Sequence, residues 1–347
     1  MRIRWDWAVV VSAFLVVLSR GAAQEVDVEP LQGVSLYKDA LFFSKDGQWL
    51  REFQLRSLEG ERHYRVRVVT YDARTGAVVH VVDLEKDSWF LSATTDARVA
   101  LISFNGGVET ARAYVVRLDV ETGRQEEIPA QWFGGDHRPD GPYATISGDG
   151  RLIGAYSETG PPERPRVVTL YDWQTKKKIA QQSTGFPGGG FSWGDVTVDG
   201  KILFHSNRSG GKVVDPKTGH KLTFVNPQTY RSPDGAWDVD FPNPMFDEEQ
   251  AATITDGMTG IVVDELEGSR GTYTYTLVRP WEEGAFCGTS GRFVAARAGT
   301  VEVFEIPSGK RIAAFPHVDA AASVACSADG KRVGIRSVAR LTIHRLQ

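Results

Sequence analysis

Two small polar turns alternate along this chain, and their alternation limits the architectures open to it. The first reads Ser/Thr-x-Asp-Gly. It occurs at 44–47, 147–150, 197–200, 232–235 and 327–330, and in weaker form at 94–97 and 288–291. The second reads Asp-x-x-Thr-Gly. It occurs at 72–76, 119–123, 215–219 and 256–260, and degenerates at 172–176 and 305–309. Two turns alternating on a long period, each next to a short apolar run, predict a radial array of four-stranded units, a β-propeller. With the Asp position of the first turn as a marker, the phases are 46, 96, 149, 199, 234, 290 and 329. The uneven spacing is tolerable if extra residues sit in loops.

Each turn has a physical role. In the first, the Ser and Asp side chains satisfy nearby backbone N–H groups and Gly supplies a positive φ, joining strands one and two of a blade. In the second, Asp starts an Asx-type turn and Gly closes a bulged hairpin between strands three and four. Carboxylates that recur once per blade are explained by the turn, so they are read as structural and not as catalytic. Runs such as Leu41–Phe43, Arg98–Ile102, Leu152–Tyr156 and Ile202–Phe204 read as strands. The mature chain shows no long helical periodicity.

Residues 1–23 read as a secretory signal peptide, with an uncleaved N-terminal anchor as the alternative. Arg2 and Arg4 precede an apolar run from Ala8 to Leu18, and Gly21-Ala22-Ala23 offers a small-residue cleavage site. The apolar run is too short to span a bilayer. Residues 24–347 then form a single domain, exported to the periplasm or outside, with no membrane span. The full chain of 347 residues has 40 basic and 44 acidic side chains; residues 1–23 hold three Arg and one Asp, leaving a net charge of −6 on the mature chain. That balance argues against nucleic acid and anionic membranes as partners.

The repeat resembles WD40-type and related bacterial propeller repeats over nearly all of the mature chain. Arg292–Ala296, Gly299–Glu305 and Ser308–Lys310 carry one well-matched unit, and the Trp-Asp position of the family is held by Tyr71-Asp72, Leu118-Asp119, Tyr171-Asp172 and Val214-Asp215. The family's Gly-His dipeptide is not recognisable. The resemblance implies an all-β, seven-bladed propeller of four-stranded antiparallel blades. The chain ends where strand three of the last blade finishes, since 333–346 aligns on 294–306 with one inserted residue. Residues 25–34 are therefore expected to supply the missing strand by pairing with 340–346, closing the ring and removing an exposed edge.

Both turns lie on one face in this geometry, leaving the other connections for function. These carry Trp132, Phe133, Phe186, Trp193, Phe246, Tyr273, Tyr275 and Trp281, candidate anchors for a protein or other macromolecule. Core packing is the competing explanation for each of them, and Tyr273 and Tyr275 also read as one face of a strand. The expectation is a non-enzymatic, monomeric binding scaffold without a cofactor. A propeller enzyme of lactonase or hydrolase type, with a site at the channel mouth, and a carbohydrate-binding module are the alternatives. Asp136, His137 and Asp140, with Glu282 or Glu283, are the one metal-like grouping, and a solvated polar loop accounts for them better. Asn207-Arg208-Ser209 matches a glycosylation sequon. Cys287 and Cys326 fall three residues before successive markers, at equivalent positions of adjacent blades; a disulfide, open to an exported protein, and two buried apolar thiols are the alternatives, with the thiols preferred because Cα atoms of neighbouring blades can stand beyond the ~7 Å limit of a disulfide.

Overall fold

The structure, a computed structural model, describes residues 24–26, 41–57, 64–104, 113–133, 143–157, 167–183, 191–197, 200–206, 210–218, 221–224, 228–241, 249–272, 281–289, 291–297, 299–316, 321–337 and 340–346. Among these, six antiparallel sheets each take four strands in chain order. Sheet 1 comprises Leu41–Phe43, Trp49–Ser57, Tyr64–Asp72 and Val78–Asp83. Sheet 2 comprises Ser88–Ala93, Val99–Phe104, Tyr114–Asp119 and Gln125–Glu127. Sheet 3 comprises Ala144–Ile146, Leu152–Ser157, Val167–Asp172 and Lys178–Ser183. Sheet 4 comprises Phe191–Val196, Ile202–Ser206, Gly210–Val214 and Lys221–Phe224. Sheet 5 comprises Gln228–Arg231, Trp237–Phe241, Thr253–Asp256 and Val262–Glu265. Sheet 6 comprises Trp281–Cys287, Arg292–Arg297, Thr300–Glu305 and Arg311–Pro316.

Six blades are thus built from strands taken in chain order, one fewer than the seven turn markers imply; in sheet 5 a short strand, Glu249–Gln250, intervenes between the second and third members and pairs with Gly271–Thr272. The strands of the last marker, Ala321–Cys326, Arg332–Ser337 and Leu341–Arg345, lie in a sheet whose outermost member is Gln24–Val26. This mixed sheet pairs Gln24 with Ile343 and Val26 with Leu341. The paired stretch begins one residue before the expected 25–34 and is three residues long; residues 27–34 lie outside the described residues.

Both turns do what their chemistry requires. In the first, Ser44 Oγ donates to Asp46 Oδ1 at 2.6 Å, Gln48 N–H donates to the same oxygen at 3.0 Å, and Trp49 N–H donates to Ser44 Oγ at 2.9 Å. The same bonds recur around Ser147, Ser232 and Ser327. In the second, Asp72 Oδ1 accepts from the N–H groups of Arg74 and Thr75 at 2.9 and 2.7 Å. Those bonds, Thr75's first, hold the Asp72 carboxyl below the ordinary aspartate range. Where the turn glycine is lost, the backbone still turns left-handed: Ala97 has φ 48° and Lys176 has φ 58°. The weak copies of each turn are therefore genuine repeats.

Sheets pack face to face around the ring through apolar clusters. Phe53, Val68, Phe90 and Ile102 join sheets 1 and 2; Leu101, Ile128, Ile146 and Ile153 join 2 and 3; Leu152, Leu170, Ile202 and Val214 join 3 and 4. Phe241, Ile254, Phe293 and Phe304 join 5 and 6, and Val294, Val303, Val324 and Ile335 join 6 to the mixed sheet. Leu41, Leu50, Leu341 and Ile343 join the mixed sheet to sheet 1. Arginines on second strands tie these contacts on the turn side: Arg332 Nη1 donates to the Gly47 carbonyl at 2.6 Å and Arg292 Nη1 to the Gly330 carbonyl at 2.7 Å.

Cys287 and Cys326 form a disulfide, with Cα atoms 4.8 Å apart, which corrects the reading of two separate thiols. The innermost strands of sheet 6 and the mixed sheet converge where they enter their turns. A Cβ on Gly288 would stand only 2.3 Å from the Ala328 carbonyl oxygen, so the two backbones approach more closely than neighbouring blades were expected to.

Candidate interaction surface

Two of the aromatic candidates belong to the interior. After Gln125–Glu127 the chain turns back, with Ile128 N–H donating to the Val115 carbonyl at 2.8 Å, and Ala130–Phe133 forms a short 3-10 turn. That turn drives Trp132 and Phe133 between sheets 2 and 3, where they are 5% and 4% exposed. The Trp132 ring stacks on Tyr171 at 4.0 Å and meets Trp173 edge-on at 6.1 Å. These two residues are packing residues and not exposed anchors. Trp193 and Trp281 lie on innermost strands, opposite His205 and Arg297, and not within the connections where the turn positions placed them. The aromatic runs extend the inner strands upstream of their markers. The side chains of Trp193 and Trp281 lie outside the described part. Phe186, Phe246, Tyr273 and Tyr275 lie outside the described residues, as do Asp136, His137, Asp140 and the sequon at 207–209. Glu282 and Glu283 lie on the Trp281–Cys287 strand, and no group of three or more metal-ligating side chains occurs among the described residues. No helix among them is long and apolar enough to cross a membrane.

The exposed apolar surface sits elsewhere. Outermost strands have neighbours on one edge only, so both of their faces meet solvent. In sheet 2 that strand is polar throughout, Gln125–Glu127 being Gln-Glu-Glu, and in sheets 3 and 6 it exposes a single large apolar side chain, Ile179 and Ile312. In sheet 5 the outer hairpin instead exposes Met258 (60%), Ile261 (64%), Val262 (57%) and Val263 (49%) within six residues. Lys201 Nζ donates to Met258 Sδ at 3.6 Å, and Thr259 and Asp264 supply the polar rim. Sheet 1 repeats the pattern more weakly with Val78, Val79 and Val81. On the loop side, Tyr143 is 52% exposed at the entry to an innermost strand. The sequence signal for these residues was available, because whatever follows Asp-x-x-Thr-Gly is an outermost strand and ought to be polar.

Two buried polar clusters complete the charged inventory. On sheet 5, the face opposite the sheet 6 contact carries Thr229, Arg231, Asp238, Asp240 and Thr255. Arg231 Nη1 donates to both oxygens of Asp238 at 3.0 and 2.8 Å; Asp240 accepts from Thr229 Oγ1 at 2.5 Å and Thr255 Oγ1 at 3.0 Å. Burial pushes Asp238 up to about 7, opposed by Arg231 and reinforced by Asp240. Burial also raises Asp240, against the two threonine hydroxyls. Between the mixed sheet and sheet 1, Glu52 and Arg336 are each 2% exposed. Arg336 Nε donates to Glu52 Oε1 at 2.5 Å, while Tyr71 Oη and Gln54 Nε2 donate to Oε2 at 2.9 and 2.8 Å. Burial and the Glu52 charge raise the Tyr71 phenol, keeping it a donor.

No family model matches the chain, and no curated protein does. Solved structures do match in fold. A chain of the mitotic checkpoint complex superposes with a TM-score of 0.61 at 13% identity, covering 100% of this chain and 97% of that one. The WD40 repeats of RRP9 give a TM-score of 0.61 at 10% identity, covering 94% and 100%. The β-propeller domain of Cps50 (Swd1) from Myceliophteria thermophila gives 0.57 at 12% identity, covering 93% and 100%. The chain therefore has a WD40-like β-propeller fold, as its repeats implied.

Proposed function

We propose that this chain is an exported, non-enzymatic propeller scaffold that holds a protein partner against its outer rim. The observation that carries this reading is the outer hairpin of sheet 5, where Met258, Ile261, Val262 and Val263 are all at least 49% exposed. A contiguous apolar patch with a polar rim is what a protein–protein contact covers. Its neighbours in fold include a chain taken from a complex, the mitotic checkpoint complex. The loop-side aromatics Phe186, Trp193, Phe246, Tyr273, Tyr275 and Trp281 form a second contact surface in this proposal. Export rests on the signal-like segment 1–23, and the Cys287–Cys326 disulfide supports it, because such bonds persist in oxidising compartments. The ring has seven blades in this reading, with the mixed sheet as the seventh and Gln24–Val26 as its closing strand; the Gln24–Ile343 pairing supports that count.

The test is capture of a partner from the native exported fraction by cross-linking, with wild type beside Ile261→Glu/Val263→Glu. Both side chains point to solvent, so folding should survive. The same partner should be recovered by wild type and lost, by tenfold or more, from the charged variant. Equal recovery by a folded variant would remove the outer hairpin as the contact.

A further inference from the structure

We propose that this chain forms a two-fold dimer in which the outermost strand of sheet 1, Val78–Asp83, pairs antiparallel with the same strand of a second copy. The inference goes beyond the scaffold reading, uses a different edge from the sheet 5 hairpin, and departs from the monomer expected from the sequence. An outermost strand presents unpaired peptide groups to solvent, and proteins blunt such edges with charge, proline or shortness. Other outer strands of this chain are blunted in these ways. Gln125–Glu127 is three residues long and carries two Glu, Lys178–Ser183 follows two further lysines, and Arg311–Pro316 opens on Arg and closes on Pro. Val78–Asp83 has six residues, four of them Val, with no proline and no Lys, Arg, Asp or Glu before Asp83. Val78, Val79, His80 and Val81 are all exposed.

Three observations select a second copy as the occupant. The first is the sequence. Val78-Val79-His80-Val81-Val82 reads the same in both directions, so an antiparallel copy centred on His80 sets Val78 against Val82, Val79 against Val81 and His80 against His80. A two-fold axis demands a surface complementary to itself, and β-branched residues paired across strands stabilise a sheet. The second is hydrogen-bond parity. Leu84 N–H donates inward to the Val66 carbonyl at 3.1 Å. Bonding direction alternates along a strand, so Val82 and His80 turn their peptide groups inward and Val81 turns its own outward. The bulge beside Tyr71 leaves Val79 without an opposite residue in Tyr64–Asp72. The groups free to bond therefore stand at Val79 and Val81, the two positions that the His80-centred register pairs. A register shifted by one residue would set outward groups against inward ones. The third is charge. The same axis brings the exposed Glu85, just past one end of the strand, beside the exposed Arg74 in the turn at the other end of the second copy. The reciprocal pair forms too, so opposite charges meet at both ends of the joint.

Sedimentation equilibrium of the purified mature protein, from about 1 to 100 μM, should show a reversible monomer–dimer equilibrium and nothing larger. His80→Lys sets two ammonium groups across the axis and should weaken the dimer about tenfold. Ile179→Lys, on the outer strand of sheet 3, should leave it unchanged. Arg74→Glu should weaken it about fivefold, and Arg74→Glu/Glu85→Arg should return it to within about twofold of wild type. Cross-linking reads the register. The two native cysteines are bonded to each other, so a new cysteine reports alone. His80→Cys puts two Cα atoms about 4.5 Å apart across the axis, within disulfide range, and mild oxidant should give a covalent dimer. Val78→Cys, about 13 Å from its own copy along the strand, should not cross-link. All these side chains are exposed, so each variant should keep the circular dichroism and thermal midpoint of wild type. Monomer throughout, association beyond the dimer, a dimer indifferent to His80→Lys, or equal cross-linking of the two cysteine variants overturns the proposal. So does cross-linking of His80→Cys, in the native exported fraction, to another polypeptide and not to a second copy, which would give the edge to a partner's strand.

Discussion

Arg336→Met should destabilise the protein strongly. In the wild type, Glu52 is 2% exposed and holds one cationic donor, Arg336, and two neutral ones, Tyr71 and Gln54. Methionine fills the space of the arginine stem and takes away the buried counter-charge of the carboxylate. Removing one partner of a buried ion pair costs about 3–5 kcal/mol, because the charge that stays behind has lost the attraction that offset its desolvation. Urea unfolding followed by tryptophan fluorescence at pH 7 reads this directly against wild type. Adding Glu52→Gln to Arg336→Met should recover all but about 1.5 kcal/mol, because the amide carries no charge and still accepts from Tyr71. A penalty under about 1 kcal/mol for Arg336→Met, or a double variant no more stable than the single one, would refute the reasoning.

Four further outcomes are expected. Deleting Gln24–Val26 should uncover the edge of Leu341–Arg345, lower the thermal midpoint and produce concentration-dependent association in light scattering. Gly309→Ala should cost clearly more than Gly123→Ala in chemical denaturation: both glycines have positive φ, but a Cβ at 309 would stand 2.0 Å from the Glu265 carbonyl oxygen while one at 123 meets open space. The open site should cost about 1 kcal/mol. Reducing the Cys287–Cys326 bond, which spans 39 residues, should remove about 4 kcal/mol of stability, measured by denaturation with and without reductant and checked by thiol labelling. Asp238, raised to about 7 from 3.8 chiefly by burial, stabilises the fold below pH 4 and loses that contribution as pH rises through 7; Asp238→Asn should flatten the wild-type pH profile over that range.

The turns were legible in the sequence because every bond they make is local. Ser44, Asp46 and Trp49 satisfy one another within six residues, so a pattern of four residues reports the structure it forms. The sheet faces were legible for the same reason, since alternation within one strand decides which side chains turn inward. The site was much less so. Trp132 looks like a loop anchor until Tyr171, some forty residues away, is seen beneath its ring. Cys287 and Cys326 could not be paired from spacing, because the approach of their strands depends on Gly288 and Ala328 lying against each other across two sheets. The outward turn of Val81 is hidden by register: only the bond from Leu84 N–H to the Val66 carbonyl shows which residues of the outer strand face the edge. Long-range partners decide burial and charge balance, and a single sequence lists residues without their partners.

The mixed sheet also imposes an order of events on synthesis. Gln24 finds its partner Ile343 only after 319 further residues have been made. At elongation rates of 5–20 residues per second, that is a wait of roughly 15–60 s. Throughout it Gln24–Val26 lacks the edge it joins, while sheets 1 to 6 can each form from strands already at hand. The innermost strands of sheets 1 and 6 therefore stand ready before the piece between them exists, and the last segment must insert into a gap already shaped on both sides. Pairing of Gln24–Val26 with Leu341–Ile343 is thus the contact of greatest sequence separation among the described strands, and loop closure over that length is paid before the pairing returns anything.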